Sequence, residues 1–210
     1  MPLSQAYLEL RGIYMENLFI RRITFTTPEA ERTRLVEIGI TEATENDSVG
    51  SVVFSAFSNS GIGRWLEARL AAQPEQADAV HDLLAHLARE MTKLHKQKQA
   101  EVKRFLAWIE SELLTEGVGV NDLNGKTFVQ SYHDQPLEKL VEVLGKNRRR
   151  LRTSPEAAAA QLRPACEESL VALCPLLRRI ARTDRLIDFI VYRLYGLTEE
   201  EVAVVEGTRQ

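Results

Sequence analysis

The stretch from Pro74 to Leu114, PEQADAVHDLLAHLAREMTKLHKQKQAEVKRFLAWIESELL, decides the fold class. Pro74 suits the first turn of a helix, where the N–H it lacks would have no partner in any case. From there Val80, Leu84, Leu87, Met91 and Leu94 fall at alternating spacings of four and three, the pattern of a helix packed along one seam. Lys98 takes the next seam position, after which Val102, Phe105, Ile109 and Leu113 resume the stripe with a shifted register. Unbroken, such a helix runs about forty residues and about 60 Å, too long to be buried by a small globule alone. Antiparallel partners are therefore expected from roughly Leu137 to Arg149, Pro155 to Ile180 and Thr183 to Tyr195, with Pro164 and Pro175 interrupting or kinking the Pro155 helix.

Toward the N-terminus, Leu18 to Phe25 is apolar and β-branched enough for a strand, and Thr27-Pro28-Glu29 opens a helix that Gly39 is expected to end. From Thr41 to Ser60 the chain is polar and small, a loop or linker around the short apolar run Val52 to Phe57. At the other end, Thr183 is expected to cap an apolar stripe of Leu186, Ile187, Ile190, Val191 and Leu194. Gly196 suits a left-handed helix end, and Thr198 with Glu201 forms a capping box for a last helix. The expectation is a mainly α chain: an elongated helical bundle with a long central helix, a small N-terminal strand–helix element and a C-terminal helix–turn–helix corner. It divides at residue 60, with 1–60 as a strand–helix element and linker and 61–210 as a helical bundle tail.

Three stretches also carry a resemblance. Ile187-Asp188-Phe189-Ile190-Val191-Tyr192-Arg193-Leu194-Tyr195-Gly196-Leu197-Thr198-Glu199-Glu200-Glu201-Val202 is similar to the signature that closes adenine-specific DNA methyltransferases, above all the bifunctional type IIG restriction–modification enzymes. Tyr14-Met15-Glu16-Asn17-Leu18-Phe19-Ile20-Arg21-Arg22-Ile23-Thr24-Phe25 resembles an element of the same family's target recognition region, with Phe19 in place of the usual proline. Asp122-Leu123-Asn124-Gly125-Lys126-Thr127, followed by Tyr132, resembles a third landmark, a turn between helical segments. The resemblance implies a DNA-binding specificity segment, with Tyr192, Tyr195, Gly196 and Leu197 as its structural signature.

The family's chemistry needs residues that this chain lacks. Adenine methylation needs a (D/N)-P-P-(Y/F) loop to hold a flipped base, and no such tetrapeptide occurs. Gly61-Ile62-Gly63 and Gly117-Val118-Gly119 lack an acidic partner at the spacing of a dinucleotide fold and read as loop or cap glycines. Glu101-Val102-Lys103 matches a nuclease tripeptide but lies within the long helical pattern. The chain therefore resembles a non-catalytic tail, a fragment or a separately encoded part, with no cofactor or metal of its own. Its expected partners are duplex DNA and a methyltransferase–nuclease portion on another chain or upstream.

Composition agrees with an ordinary soluble protein: 44% of residues are hydrophobic and 27% charged, and no apolar run approaches a membrane span. A cytoplasmic setting is expected, with Cys166 and Cys174 as buried free thiols. Net charge is −3, so DNA binding rests on how the charge is distributed. Lys146, Arg148, Arg149, Arg150 and Arg152 place five cations within seven residues, suited to phosphate contacts or to complementing the dipole at a helix C-terminus. Arg21 and Arg22 point to opposite faces of the expected strand, where one can reach a phosphate and the other pair structurally. Lys93, Lys96, Lys98, Lys103 and Arg104 line the long helix, as a solvated face or a second phosphate-tracking surface. Trp65 and Trp108 read as core anchors, and the four histidines as surface residues. The alternative to a DNA module is a helical structural or protein-interaction module without direct DNA contact.

Overall fold

A computed structural model describes residues 21–45 and 57–207. Its helices are α1 (Glu29–Glu45), α2 (Gly61–Leu70), α3 (Ala77–Trp108), α4 (Lys126–Gln130), α5 (Leu137–Lys146), α6 (Pro155–Leu194) and α7 (Glu199–Val205). Three 3₁₀ turns, Val120–Asp122, Tyr132–Asp134 and Arg148–Arg150, lie between them. Among the described residues there is no strand, and the one β pairing is the isolated bridge between Leu114 and Leu151.

The long helix begins at Ala77, so Pro74 precedes its first turn instead of lying in it, and the apolar stripe then forms. Val80, Leu87, Leu94 and Phe105 are buried on one side of α3 and Leu83 joins them, while the expected seam residues Leu84, Met91 and Val102 are half-buried. The helix then widens into a π turn over Ile109–Leu113, where the Leu114 N–H reaches the Ile109 carbonyl at 3.2 Å. That widening lets Ile109, Leu113 and Leu114 all point inward.

α6 runs antiparallel beside α3 for 40 residues. Ser154 caps it through the Ala157 N–H, and Pro155 takes the first turn. Its length corrects two expectations. Thr183 is not a cap but lies inside the helix, because no breaker separates Ile180 from Asp184. Pro164 and Pro175 do not divide it either. Each proline deprives the carbonyl four residues earlier of its partner, but Pro164, Pro175, Ala160 and Val171 are all exposed, so water can serve those carbonyls.

Two apolar clusters lie along this helix pair. One joins the second half of α3 to the first half of α6 and to the segments from Val120 to Leu151, with Phe105, Leu113, Tyr132, Leu144 and Leu162 at its centre. The other joins the first half of α3 to the last turns of α6 and to α2, with Ile62, Trp65, Leu66, Leu83 and Phe189. It draws Ala43 and Phe57 from before residue 60, so α1 and α2 share one core.

The N-terminal expectation needs correction where it can be examined. Leu18 to Ile20 lie outside the described residues, and Arg21 to Phe25 is extended without a strand partner. Its end is held by a side chain: the buried Asp78 carboxylate accepts the Thr26 N–H at 3.1 Å, the Thr27 N–H at 2.8 Å and the Thr27 hydroxyl at 2.7 Å. α1 runs through Gly39 to Glu45 instead of ending there. A Cβ at Gly39 would stand 3.0 Å from the Trp65 ring and 3.2 Å from Leu83, so glycine serves close helix packing. Residues 46–56 of the expected linker lie outside the described residues. Both cysteines are free, but Cys174 is exposed while Cys166 is buried.

At the C-terminal corner, Gly196 adopts φ +68°, and the Leu197 N–H closes on the Tyr192 carbonyl at 2.9 Å. Thr198 and Glu201 exchange capping bonds at 2.8 and 3.3 Å. α7 spans only seven residues after a forty-residue helix. The expected unit of two helices beginning at Thr183 is thus replaced by one long helix and a short terminal one.

Candidate nucleic-acid interface

The basic run occupies a turn fixed on several sides. α5 buries Leu140, Val143 and Leu144 and ends at Lys146, so the next residue must satisfy the open helix end. Asn147, only 4% exposed, does so. Its side-chain amide donates to the Val143 carbonyl at 2.8 Å and the Asn124 carbonyl at 3.0 Å, and its Oδ1 accepts the Asn124 N–H at 3.0 Å. This clasp joins the Asp122–Thr127 segment to the basic turn. Beyond it, Leu151 is buried, the Thr115 N–H donates to the Arg150 carbonyl at 2.9 Å, and the Arg152 N–H donates to the Leu113 carbonyl at 2.9 Å.

Held in this way, the five cations divide into different roles. Arg148 and Arg149 are exposed and have no carboxylate or hydrogen-bond partner for their side chains among the described residues. Arg150 is half-buried and lies 3.4 Å from Asn147 Oδ1. The Arg152 guanidinium donates to the Leu114 carbonyl and so closes the turn. Lys146 pairs with Glu142 at 2.6 Å, and Lys139 meets the same carboxylate at 2.9 Å. Hydrogen bonds from Lys146 and then Lys139, with their charges, pull Glu142 down to about 2. Lys126 is exposed without a partner among the described residues, and the Asn124–Asn147 clasp brings its segment beside the turn. Sequence reasoning did not single it out, although it stood in the third landmark. Among the described residues, the cations left without a side-chain partner here are thus Arg148, Arg149 and Lys126.

Arg21 is occupied elsewhere. Its guanidinium donates to the Leu194 carbonyl at the end of α6 and pairs with Glu75. It caps the C-terminus of α6 and is not open to a phosphate, whereas Arg22 is exposed. Around the same corner, Tyr192 and Leu197 are half-buried and Tyr195 is 48% exposed. Burial, with the charges of Asp188 and Glu206, raises the Tyr192 phenol.

A polar chain runs from the first cluster out to the surface. The Tyr132 hydroxyl meets Ser169 Oγ at 2.5 Å, Ser169 donates to Glu101 at 2.6 Å, and Glu101 holds Arg104 at 2.8 Å. Burial pushes the Tyr132 phenol up to about 12. The adjacent His133 corrects the surface expectation: its side chain is only 6% exposed, Nε2 lies 3.4 Å from the Asp134 carboxylate, and neither ring nitrogen makes a hydrogen bond. The tripeptide Glu101-Val102-Lys103 lies within α3, where Glu101 serves this chain of hydrogen bonds.

Among the described residues no group of three His, Cys, Asp or Glu is placed to hold a metal ion, and no helix is long and apolar enough to cross a membrane. No protein-family model, no curated protein and no solved structure matches the chain.

Proposed function

We propose that this chain is a non-catalytic DNA-positioning segment of an adenine-specific restriction–modification methyltransferase of the type IIG kind. It works in the cytoplasm with a methyltransferase–nuclease portion on another chain or upstream, which supplies the base-flipping pocket, the methyl donor and the catalytic metal. One observation carries the reading: resembling stretches far apart in the sequence meet in space. Arg21, from the first, hydrogen-bonds the Leu194 carbonyl of the last. The middle stretch, through Asn124, clasps the turn that presents Arg148 and Arg149. These cations grip the phosphate backbone and set register, without reading sequence.

Replacing Arg148 and Arg149 with alanine is expected to weaken binding to many duplex sequences alike and to flatten the plot of log affinity against log salt by about 1.8, near 0.9 for each phosphate no longer neutralised. A wild-type slope in the variant overturns this use of the turn. The purified chain is also expected to transfer no labelled methyl group to duplex DNA. A second reading, a helical interaction module without DNA contact, is favoured by the net charge of −3 and by the exposed Tyr195, Val204 and Val205 around α7. Absence of any duplex affinity at low salt, with or without the catalytic partner, would establish it in place of the first.

A further inference from the structure

We infer that the outward face of α3 is a second polyanion-binding track, fitted to the sugar–phosphate backbone of duplex DNA. The inference rests on the DNA-positioning reading and extends it from one turn to a surface. At about 100° per residue, Arg89, Lys93, Lys96 and Lys103 fall within about 40° of one line along the helix, opposite the seam of Leu87, Leu94 and Phe105. All four are exposed, as are Ala100 and Ala107 on the same line. Between Asp82 and Glu110 no carboxylate of α3 falls on this face. The helix's two acids in that interval, Glu90 and Glu101, lie to one flank and pair with Lys93 and Arg104. Arg89, Lys96 and Lys103 have no ion-pair partner among the described residues.

Two ordinary explanations account for Lys93 through its Glu90 pair but not for the row of Arg89, Lys96 and Lys103. A solvated helix face gains from opposite charges three or four apart, but Arg89–Lys93 and Lys93–Lys96 are like pairs at those spacings and weaken the helix. Nor do the cations complement the helix dipole, since they occupy the middle of α3 and the dipole acts within the terminal turns. An external anion matches a row of three exposed cations without ion-pair partners among the described residues. Arg89 to Lys103 spans about 21 Å at about 1.5 Å per residue. Duplex DNA carries a charge every about 1.7 Å of axis, so a phosphate backbone offers more than enough partners over that length.

The test uses the full chain and a duplex of arbitrary sequence. The quadruple variant R89A/K93A/K96A/K103A keeps the helix, since alanine is the best helix former at exposed positions, so its circular dichroism should match wild type and its melting should not fall. Its salt plot should flatten by up to about 3.6. Exchanging lysine for arginine and arginine for lysine at the four positions should preserve the slope. As an independent arm, K96E/K103E should lower affinity at every salt concentration. If the quadruple variant keeps the wild-type slope while the Arg148 and Arg149 double variant loses its share, this inference fails and the turn reading stands. If the quadruple variant flattens the slope and the double variant does not, the track stands and the turn is not the DNA contact. Wild-type binding to vesicles rich in anionic lipid with none to duplex DNA overturns both.

Discussion

Gly196 and Gly39 show two different reasons for having no side chain. A Cβ at Gly196 would meet nothing within 4 Å, so the demand comes only from its φ of +68°. Gly196→Val is expected to cost about 1–2 kcal/mol, read as a lowered thermal midpoint, and Gly196→Asn less, because asparagine tolerates the left-handed region. An unchanged midpoint for valine would show that the corner does not need that conformation. His133 supplies a pH prediction. Burial lowers its imidazole below the ordinary histidine value, with Asp134 opposing and Lys98 adding to the effect. The fold therefore favours the neutral ring, while the unfolded chain takes up a proton near about 6.5. Stability present above that value is lost as pH falls through the lower folded value. Between pH 7 and 5, His133→Gln should lose less thermal stability than wild type; parallel curves would remove His133 from the account.

At the scale of elements, α6 is the instructive case. Two prolines in its interior made a break the natural expectation, yet both sit on the solvent side. Pro175→Ala should restore a hydrogen bond to the Val171 carbonyl. The gain is expected to be about 1–2 kcal/mol, below the roughly 3 kcal/mol separating the two residues in helix interiors, because proline also stiffens the unfolded chain. A falling midpoint would mean that α6 needs its prolines, for instance for curvature. The seam of α3 was legible from Val80 to Leu113 because helical periodicity is a local property. The π turn was not, since only the demand to bury both Leu113 and Leu114 against α5 and α6 selects it.

For the molecule as a whole, the two apolar clusters are strung on the same pair of long helices, so they are expected to unfold together. Each contains a tryptophan reporter: Trp65 is buried in one, where its indole N–H donates to the Leu35 carbonyl at 3.0 Å, and Trp108 packs against the other. With Trp65→Phe and Trp108→Phe each leaving one reporter, the denaturant midpoint seen by fluorescence should coincide with that seen by circular dichroism in the same variant. Separate midpoints would show two independently stable halves.

By itself the sequence determined the helical class, the apolar stripe of α3, the start of α6 at Pro155 and the capping box of Thr198 and Glu201. Each of these depends on residues within one or two helical turns of one another, where spacing alone dictates geometry. The tertiary structure alone decided that Arg21 closes the end of α6, that Arg152 braces a turn while Arg148 and Arg149 stay free, that His133 is buried, and that Gly39 makes room for Trp65. Those outcomes turn on partners brought together from distant parts of the chain, 173 residues apart in the case of Arg21 and Leu194. Whether a charge is free or engaged is a property of the packed neighbourhood, and no local pattern of residues encodes it.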